Sequence, residues 1–317
     1  MSAPSPTLSV LMPVYNAERY VAAAIESVLA QTERLFQFVI VDDGSRDRTP
    51  AILARFAQQD RRIQVVTQAN TGVAGSLNAG LAQCTGELVF RMDADDLSLP
   101  TRFAVQVAEM QQRPECVALG TAVIFTDSEA RPLKVYRPPL DPVAIEAELT
   151  DGNGGALVHP TVVFRRAALL ACGGYRTKYD FIEDLDLYVR LLDQGQLANV
   201  AEPLFHYRQH AQSVNHRLGH RDALTAEIVA PLRARKGLPP WPGRGVNGLP
   251  GGLSEDTCRR KWALDAAEGG NFATARANAL AAVLNKPWNR KNWACLRYVR
   301  SLRAGATGDG ARRDGLL

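Results

Sequence analysis

The chain has 317 residues, 46% of them hydrophobic, enough to bury one large core and a smaller appendage. Its net charge is only +4 and its Lys and Arg are scattered, which leaves no electrostatic footprint for nucleic acid. Cys84, Cys116, Cys172, Cys258 and Cys295 lack zinc or redox spacing, no signal pattern opens the chain, and no apolar run is long enough to span a bilayer, so a cytoplasmic enzyme with reduced, packing cysteines is expected.

Residues 8–12 form a short apolar strand that stops at Pro13, and Val14-Tyr15-Asn16 leads into a helical pattern over 17–31. A second strand, 36–41, runs into Asp42-Asp43-Gly44-Ser45, followed by a helix over 49–57. A third strand over 63–66, a helix over 72–81 and a fourth strand over 88–92 continue the alternation. That pattern predicts a mostly parallel sheet flanked by helices, with ligands bound beyond the carboxyl ends of its strands. Tyr15 and Asn16, Asp42 and Asp43, Gln68 and Asn70, and Asp93 and Asp95 all fall at such ends.

The fourth strand ends in Arg91-Met92-Asp93-Ala94-Asp95-Asp96. Three carboxylates at one strand tip repel each other, and a hard divalent ion bridging to phosphate oxygens is their usual neutraliser. A solvated acidic turn is the plainer alternative. Neither Gly-x-Gly-x-x-Gly after the first strand nor a Gly-x4-Gly-Lys-Ser/Thr loop is present, so a diphosphate would need another holder, and a metal on Asp95 is the candidate.

Pro100 opens a helix reaching about residue 112, and 117–125 is a further strand. A helix over 142–149 precedes the glycine-rich stretch 152–155, and 159–164, which includes His159, is strand-like. In 181–191, Leu187, Tyr188 and Leu191 stack above Asp184 at helical spacing, placing Asp184 in a first helical turn. Glu183 and Asp184 there either serve a site or simply favour the positive helix end. His206, Arg208 and His210 then fall at every second position of an extended segment, and His with carboxylates is a familiar metal set.

Beyond a helix over 221–236, residues 237–252 are too rich in Pro and Gly for regular structure. Residues 254–303 suggest two or three short helices, similar to a single tetratricopeptide unit, which cannot bury its own face and must pack on the catalytic domain or a partner. Arg259, Arg260, Lys261, Trp288, Arg290, Lys291, Trp293, Arg297, Arg300 and Arg303 concentrate here. Two readings stand: docking on an anionic membrane, or a solvated basic face over a Trp-anchored core. The expected division is 1–217 for the catalytic domain, 218–253 for a helix and linker, 254–303 for the helical region and 304–317 for a disordered tail.

Pro13-Val14-Tyr15-Asn16, Val41-Asp42-Asp43-Gly44-Ser45, Asn70-Thr71-Gly72, Met92-Asp93-Ala94-Asp95-Asp96, Glu183-Asp184-Leu185-Asp186-Leu187 and Tyr207-Arg208-Gln209-His210, in that order, resemble glycosyltransferase family 2. The resemblance covers about residues 8–215 and implies a GT-A fold, a Rossmann-like nucleotide-diphospho-sugar transferase architecture. It also implies an inverting enzyme that uses Mn2+ or Mg2+ and takes a sugar from a nucleoside diphosphate, most often uridine diphosphate, to a glycan or lipid-linked acceptor. Bacterial surface polysaccharide synthesis at the inner face of the membrane is the corresponding setting.

By position, the resemblance implies that Pro13, Tyr15, Asp42 and Asp43 line the base pocket and that Asn70, Asn78, Asp93 and Ala94 also face the donor. It gives Asp95 the metal, with His210 as a further contact, Asp184 the role of base, and Glu183, His159 and Arg208 places near the acceptor or behind the site. Two departures stand out: Leu77 precedes Asn78 where many relatives carry arginine, and Ser213-Val214-Asn215 keeps one of two usual serines. A nucleotidyltransferase would need a glycine-rich basic loop after the first strand, and a non-catalytic sugar-nucleotide-binding protein would be expected to have lost its carboxylates. Neither condition is met.

Overall fold

The computed structural model describes residues 7–211, 222–243, 253–302 and Leu316. The expectations for Ser213-Val214-Asn215, for the linker beyond residue 243 and for the tail from 304, Leu316 apart, lie outside the described residues. Two compact units are present, the first within Met1–Val123, Arg137–Phe205 and Arg221–Gly245, the second within Ile124–Tyr136, His206–His220 and Val246–Leu317.

The first unit opens with four strand and helix pairs in the expected alternation. They are β1 (Leu8–Val14), α1 (Val21–Leu29), β2 (Phe36–Asp42), α2 (Thr49–Gln59), β3 (Ile63–Thr67), α3 (Gly72–Leu81), β4 (Leu88–Arg91) and, after the short β5 (Leu97–Ser98), α4 (Arg102–Gln112). Strands β3, β2, β1 and β4 lie side by side and parallel, with Leu11 of β1 opposite Val39 of β2 and Arg91 of β4. The chain winds from β1 outward to β3 and then crosses to β4 on the other side. That reversal opens a crevice beyond the carboxyl ends of β1 and β4, where open α/β sheets bind ligands.

Past β4 the sheet departs from the parallel scheme. After β6 (Cys116–Thr126), β7 (Pro132–Tyr136) and α5 (Pro142–Thr150), strand β8 (Val163–Arg165) inserts antiparallel between β4 and β6. The expected strand over 159–164 is therefore shortened, because His159–Thr161 forms a 3-10 turn around Pro160, which cannot donate to a ladder. Helices α6 (Arg166–Ala171) and α7 (Glu183–Leu191), strand β9 (Gln196–Arg208) and α8 (Asp222–Arg235) complete the order, and the sheet runs β3-β2-β1-β4-β8-β6-β9-β5 with β7 on β6.

The core of this unit joins the helix-facing side of the parallel strands, Leu11, Val39, Val41 and Val89, to Leu77, Phe164, Leu187 and Tyr188. Helix α3 lies close on the sheet because Gly80 has no side chain: a Cβ there would stand 2.2 Å from a methyl of Leu11. All five cysteines are free, and four are fully buried, as packing residues should be.

In the second unit, α9 (Glu255–Glu268), α10 (Phe272–Asn285) and α11 (Arg290–Ser301) close around Trp262, Cys258, Ala266, Ala279, Cys295 and Val299. Leu133 of β7 joins that core, and Lys134 bridges Asp265 and Glu268 at 2.9 and 3.0 Å. The helical hairpin is thus completed by its own third helix and by β7, a strand that the residue pattern had not indicated. Among the described residues no helix is long and apolar enough to cross a membrane.

Candidate active site

The loops after β1 and β2 are bound together by short polar side chains. The Asn16 N–H donates to Ser45 Oγ at 2.9 Å, Arg46 N–H to Asn16 Oδ1 at 2.8 Å, and Ala17 N–H to Thr49 Oγ1 at 2.9 Å. Asn16 takes the left-handed conformation, φ 48°, that asparagine tolerates and that turns the chain sharply after the strand. This arrangement leaves Pro13 half-buried and the Tyr15 ring 49% exposed, a flat surface beside the strand ends.

Asp42 and Asp43 are both buried but act differently. Asp42 Oδ1 accepts from Ser45 N–H at 3.0 Å and closes the turn. The Asp43 carboxylate accepts from Thr71 N–H at 2.9 Å, Gly72 N–H at 3.0 Å and Gln68 Nε2 at 2.8 Å, while Asn70 Nδ2 donates to the Asp43 carbonyl at 3.1 Å. Asp43 therefore holds the start of α3 against the end of β2. From the other side Asp180 Oδ1 accepts from Ala74 N–H at 2.9 Å. Two carboxylates thus occupy backbone donors at this helix end, which would otherwise attract phosphate.

Gly72 is central to that arrangement, with φ 82° and a hypothetical Cβ 2.5 Å from Asp180 Oδ2. Gly72→Ala is expected to destabilise the fold by about 1–3 kcal/mol through backbone strain and loss of the Asp180 contact. Urea denaturation checks it, and an unchanged midpoint would contradict the assignment.

Asn78, expected near the donor, has both ends of its amide engaged by the backbone of Tyr175: Nδ2 donates to the carbonyl at 2.7 Å and Oδ1 accepts the N–H at 2.9 Å. Leu77 is fully buried in the core. This part of α3 therefore braces the segment leading to α7.

At the tip of β4, carboxylate oxygens of Asp93, Asp95 and Asp96 lie within 4.8 Å of one another. Two buried arginines lie beneath them. Arg91 forms an ion pair with Asp93. Arg102, fully buried, donates to the Arg91 carbonyl at 2.9 Å and lies against the rings of Phe90, Phe103 and Phe205 at 5.7, 5.7 and 5.1 Å. Burial and the like charge of Arg91 pull its pKa down to about 9, with Asp96 opposing, so Arg102 remains a cation at neutral pH. Ala94, buried, separates Asp93 from Asp95, and both of those are half-buried.

Burial raises the Asp93 pKa against the pull of Arg91, and the charges of Asp95 and of Asp184 raise it further. Asp184 is half-buried in the first turn of α7, and its charge reaches Asp93 of the β4 cluster. Gly154 in the glycine-rich stretch passes close by, where a Cβ would lie 3.4 Å from Asp184 Oδ2. Arg91 answers Asp93 and Arg102 answers Asp96, which leaves Asp95 in the same carboxylate cluster as a further negative charge that suits a divalent cation.

Of the two acidic residues opening α7, Glu183 is the deeply buried one. Asp184 does sit on the face of Leu187, Tyr188 and Leu191, but at its accessible end. Glu183 lies 3.7 Å from His159 Nδ1, and His159 Nε2 lies 3.0 Å from the Tyr175 hydroxyl. Burial and Arg91 hold His159 well below 6.5, while burial and the adjacent Asp184 push Glu183 up to about 8. His159 and Glu183 are thus neutral together at pH 7.

The folded state favours protonated Glu183 and the unfolded chain ionises it above about 4.5, so stability falls as pH rises from about 4.5 to about 8 and stays reduced beyond. Glu183→Gln should remove that loss, raising stability at pH 9 by on the order of 1–3 kcal/mol and leaving it unchanged at pH 4. Thermal melts at the two pH values decide it; equal gains at both would contradict a buried neutral carboxyl.

Arg208 and His210 belong to the second unit. Arg208 ends β9, and its Nη1 donates to the Ser128 carbonyl at 2.9 Å. His210 follows the strand, so it does not share a strand face with His206. Arg91, Arg102, Asp180 and Tyr175 carry no role in the sequence reading: Asp180 and Tyr175 meet Ala74 and Asn78 across about a hundred positions, and the burial of the two arginines, whose partners are near in the chain, shows only in the fold.

Residues 9–172 match the sequence model of Glycosyl transferase family 2. The amylovoran biosynthesis glycosyltransferase AmsE of Erwinia amylovora is 34% identical over 215 residues, 67% of this chain and 79% of that protein. S. aureus TarS 1-349 in complex with UDP-GlcNAc superposes with TM-score 0.58 and 16% identity over 92% of this chain and 79% of TarS. The mannosyltransferase PcManGT of Pyrobaculum calidifontis, in complex with GDP-Man and Mn2+, gives TM-score 0.52 and 18% identity over 99% of this chain and 84% of that one. The likeness to the two solved structures is one of fold.

Proposed function

The chain belongs to glycosyltransferase family 2, and on that premise we propose that it moves a sugar from a nucleoside diphosphate to a hydroxyl of a glycan or lipid-linked acceptor, inverting the anomeric centre. The observation that carries the reading is the cluster of Asp93, Asp95 and Asp96 at the switch point of the sheet, with the charge of Asp184 acting on Asp93. Surface polysaccharide synthesis is the proposed setting, in keeping with the named role of AmsE.

A divalent cation suits this donor set. The three β4 carboxylates offer hard oxygen ligands, which Mg2+ and Mn2+ prefer, and the local charge balance is negative. The carboxylates that accept from the start of α3 support the same conclusion, since Asp43 and Asp180 use backbone donors that could have held a diphosphate. Asp95 would be the principal ligand and Asp93 a neighbour restrained by Arg91. When bound, the cation would act as a Lewis acid toward the departing diphosphate.

The protein residues account for the remaining chemistry. Tyr15 and Pro13 offer a flat wall for a base, with Asp42, Asp43 and Asn70 fixing the loops behind it. Glycosyl transfer passes through an oxocarbenium-like transition state in which the acceptor hydroxyl loses its proton as it attacks. Asp184, a half-buried carboxylate at an accessible helix start, is suited to take that proton as general base. Glu183 and His159, both neutral, support α7 without adding a competing charge.

Differential melting against UDP- and GDP-sugars, with and without Mn2+, tests the reading. A donor that raises the melting temperature only with the cation supports it, and no response across the panel in its presence would refute it.

A further inference from the structure

From residue 269 to 302 the chain contains no Asp or Glu, yet it carries Arg276, Lys286, Arg290, Lys291, Arg297 and Arg300. On α11 the residues Arg290, Trp293, Arg297 and Arg300 are exposed and recur at i, i+3, i+7 and i+10, which aligns them on one face. The opposite face is buried through Asn292, Cys295, Leu296 and Val299.

Large apolar side chains crowd the same corner. Trp288 is 78% exposed, Leu284 74%, Trp293 45% and Leu280 44%, whereas Trp262 is wholly buried in the core of this unit. A Trp-anchored core therefore accounts for Trp262 and leaves Trp288 and Trp293 unexplained.

Nor do these rings protrude from a loose end. Asp256, through its two oxygens, accepts from Lys286 Nζ and Asn289 Nδ2, both at 2.9 Å, fixing the turn between α10 and α11. Asn289 caps α11 by accepting from Lys291 N–H at 3.1 Å, and Trp293 Nε1 donates to the Pro287 carbonyl at 2.7 Å. The fold thus presents Trp and Leu outward on a rigid turn within a stretch of chain, 269–302, whose charged side chains are all basic.

We propose that the α10–α11 corner is a docking surface for an anionic lipid bilayer, with Trp288, Trp293 and Leu284 entering the interfacial region and Arg290, Lys291, Arg297 and Arg300 meeting lipid phosphates. Indole rings favour the boundary between headgroups and acyl chains, and basic residues near the bilayer surface gain from its negative potential. The absence of carboxylates over this length favours a lipid surface over a second copy of the same basic face, which would repel itself. The inference is independent of the donor chemistry, since partition to a vesicle needs no nucleotide sugar.

Flotation of the full chain with vesicles tests it, using phosphatidylcholine alone and equal parts phosphatidylcholine and phosphatidylglycerol at low and high salt. Binding is expected only to the anionic vesicles, weakened by salt. It should fall at least about tenfold both in Trp288→Ala/Trp293→Ala and in Arg290→Glu/Lys291→Glu/Arg297→Glu, these side chains being exposed and each basic one contributing separately. Brominated acyl chains should quench the tryptophan fluorescence of the parent chain, a readout that needs no variant. Failure to float at low salt, binding that neither variant changes, or self-association lost in the Trp variant without vesicle binding would each overturn the proposal.

Discussion

Asp184→Asn should bind its nucleotide sugar within about twofold of the parent chain and lose about 10²- to 10⁴-fold in turnover, the range a positioned general base supplies. The substitution keeps size and shape and removes only the ability to take a proton. It falls on a half-buried side chain at a helix start, so folding should be little affected. Glu183→Gln is the matched control. If burial already keeps Glu183 protonated, turning it into an amide changes shape and charge very little at pH 7, and transfer should persist. Loss of activity in Glu183→Gln with retention in Asp184→Asn would exchange the two roles.

Asp95→Ala should abolish the Mn2+-dependent part of donor affinity, a loss of at least about a hundredfold, because metal sites lose comparable amounts even when only an outer partner is removed. Calorimetry of nucleoside diphosphate binding, with and without Mn2+, measures it directly. Asp95 gives a cleaner test than Asp93. Removing Asp93 would strip a buried arginine of its counter-charge and destabilise the fold by about 3–5 kcal/mol, mixing a folding defect with a binding one. Equal affinity in Asp95→Ala and the parent, with Mn2+ present, would remove the cation from this site.

The parallel half of the sheet was legible because each element reports itself locally: strands β1 to β4 are short apolar runs, and each ends where the polar residues begin. The acidic motif at β4 and the Glu183-Asp184 pair were legible for the same reason. What sequence could not supply were jobs set by contacts across the fold. Asn78 stands 97 positions from Tyr175, and only the folded chain shows that its amide is taken up by that backbone. Asp180 reaches Ala74 over 106 positions to fix α3. The strand expected over 159–164 was placed, but neither its shortening to β8 nor its antiparallel direction was legible, since a three-residue strand after a proline turn carries no periodicity.

The order of burial between Glu183 and Asp184 is a finer case. Helical spacing set Asp184 above Leu187, Tyr188 and Leu191, and the structure agrees. It could not reveal that His159 and Tyr175 would draw Glu183 inward, because those partners lie on a 3-10 turn and a loop with no pattern linking them to α7. The consequence is functional: one carboxyl of the pair is kept neutral behind the site, and the other remains accessible at its mouth.

A crystal structure of the chain with Mn2+ and an unreactive nucleotide sugar would test the central claim most directly. The account predicts the ion bound through Asp95 and the diphosphate, with the Asp184 carboxylate facing the anomeric carbon from the side opposite the leaving phosphate. An ion held away from Asp95, or Asp184 on the same side as the diphosphate, would contradict it.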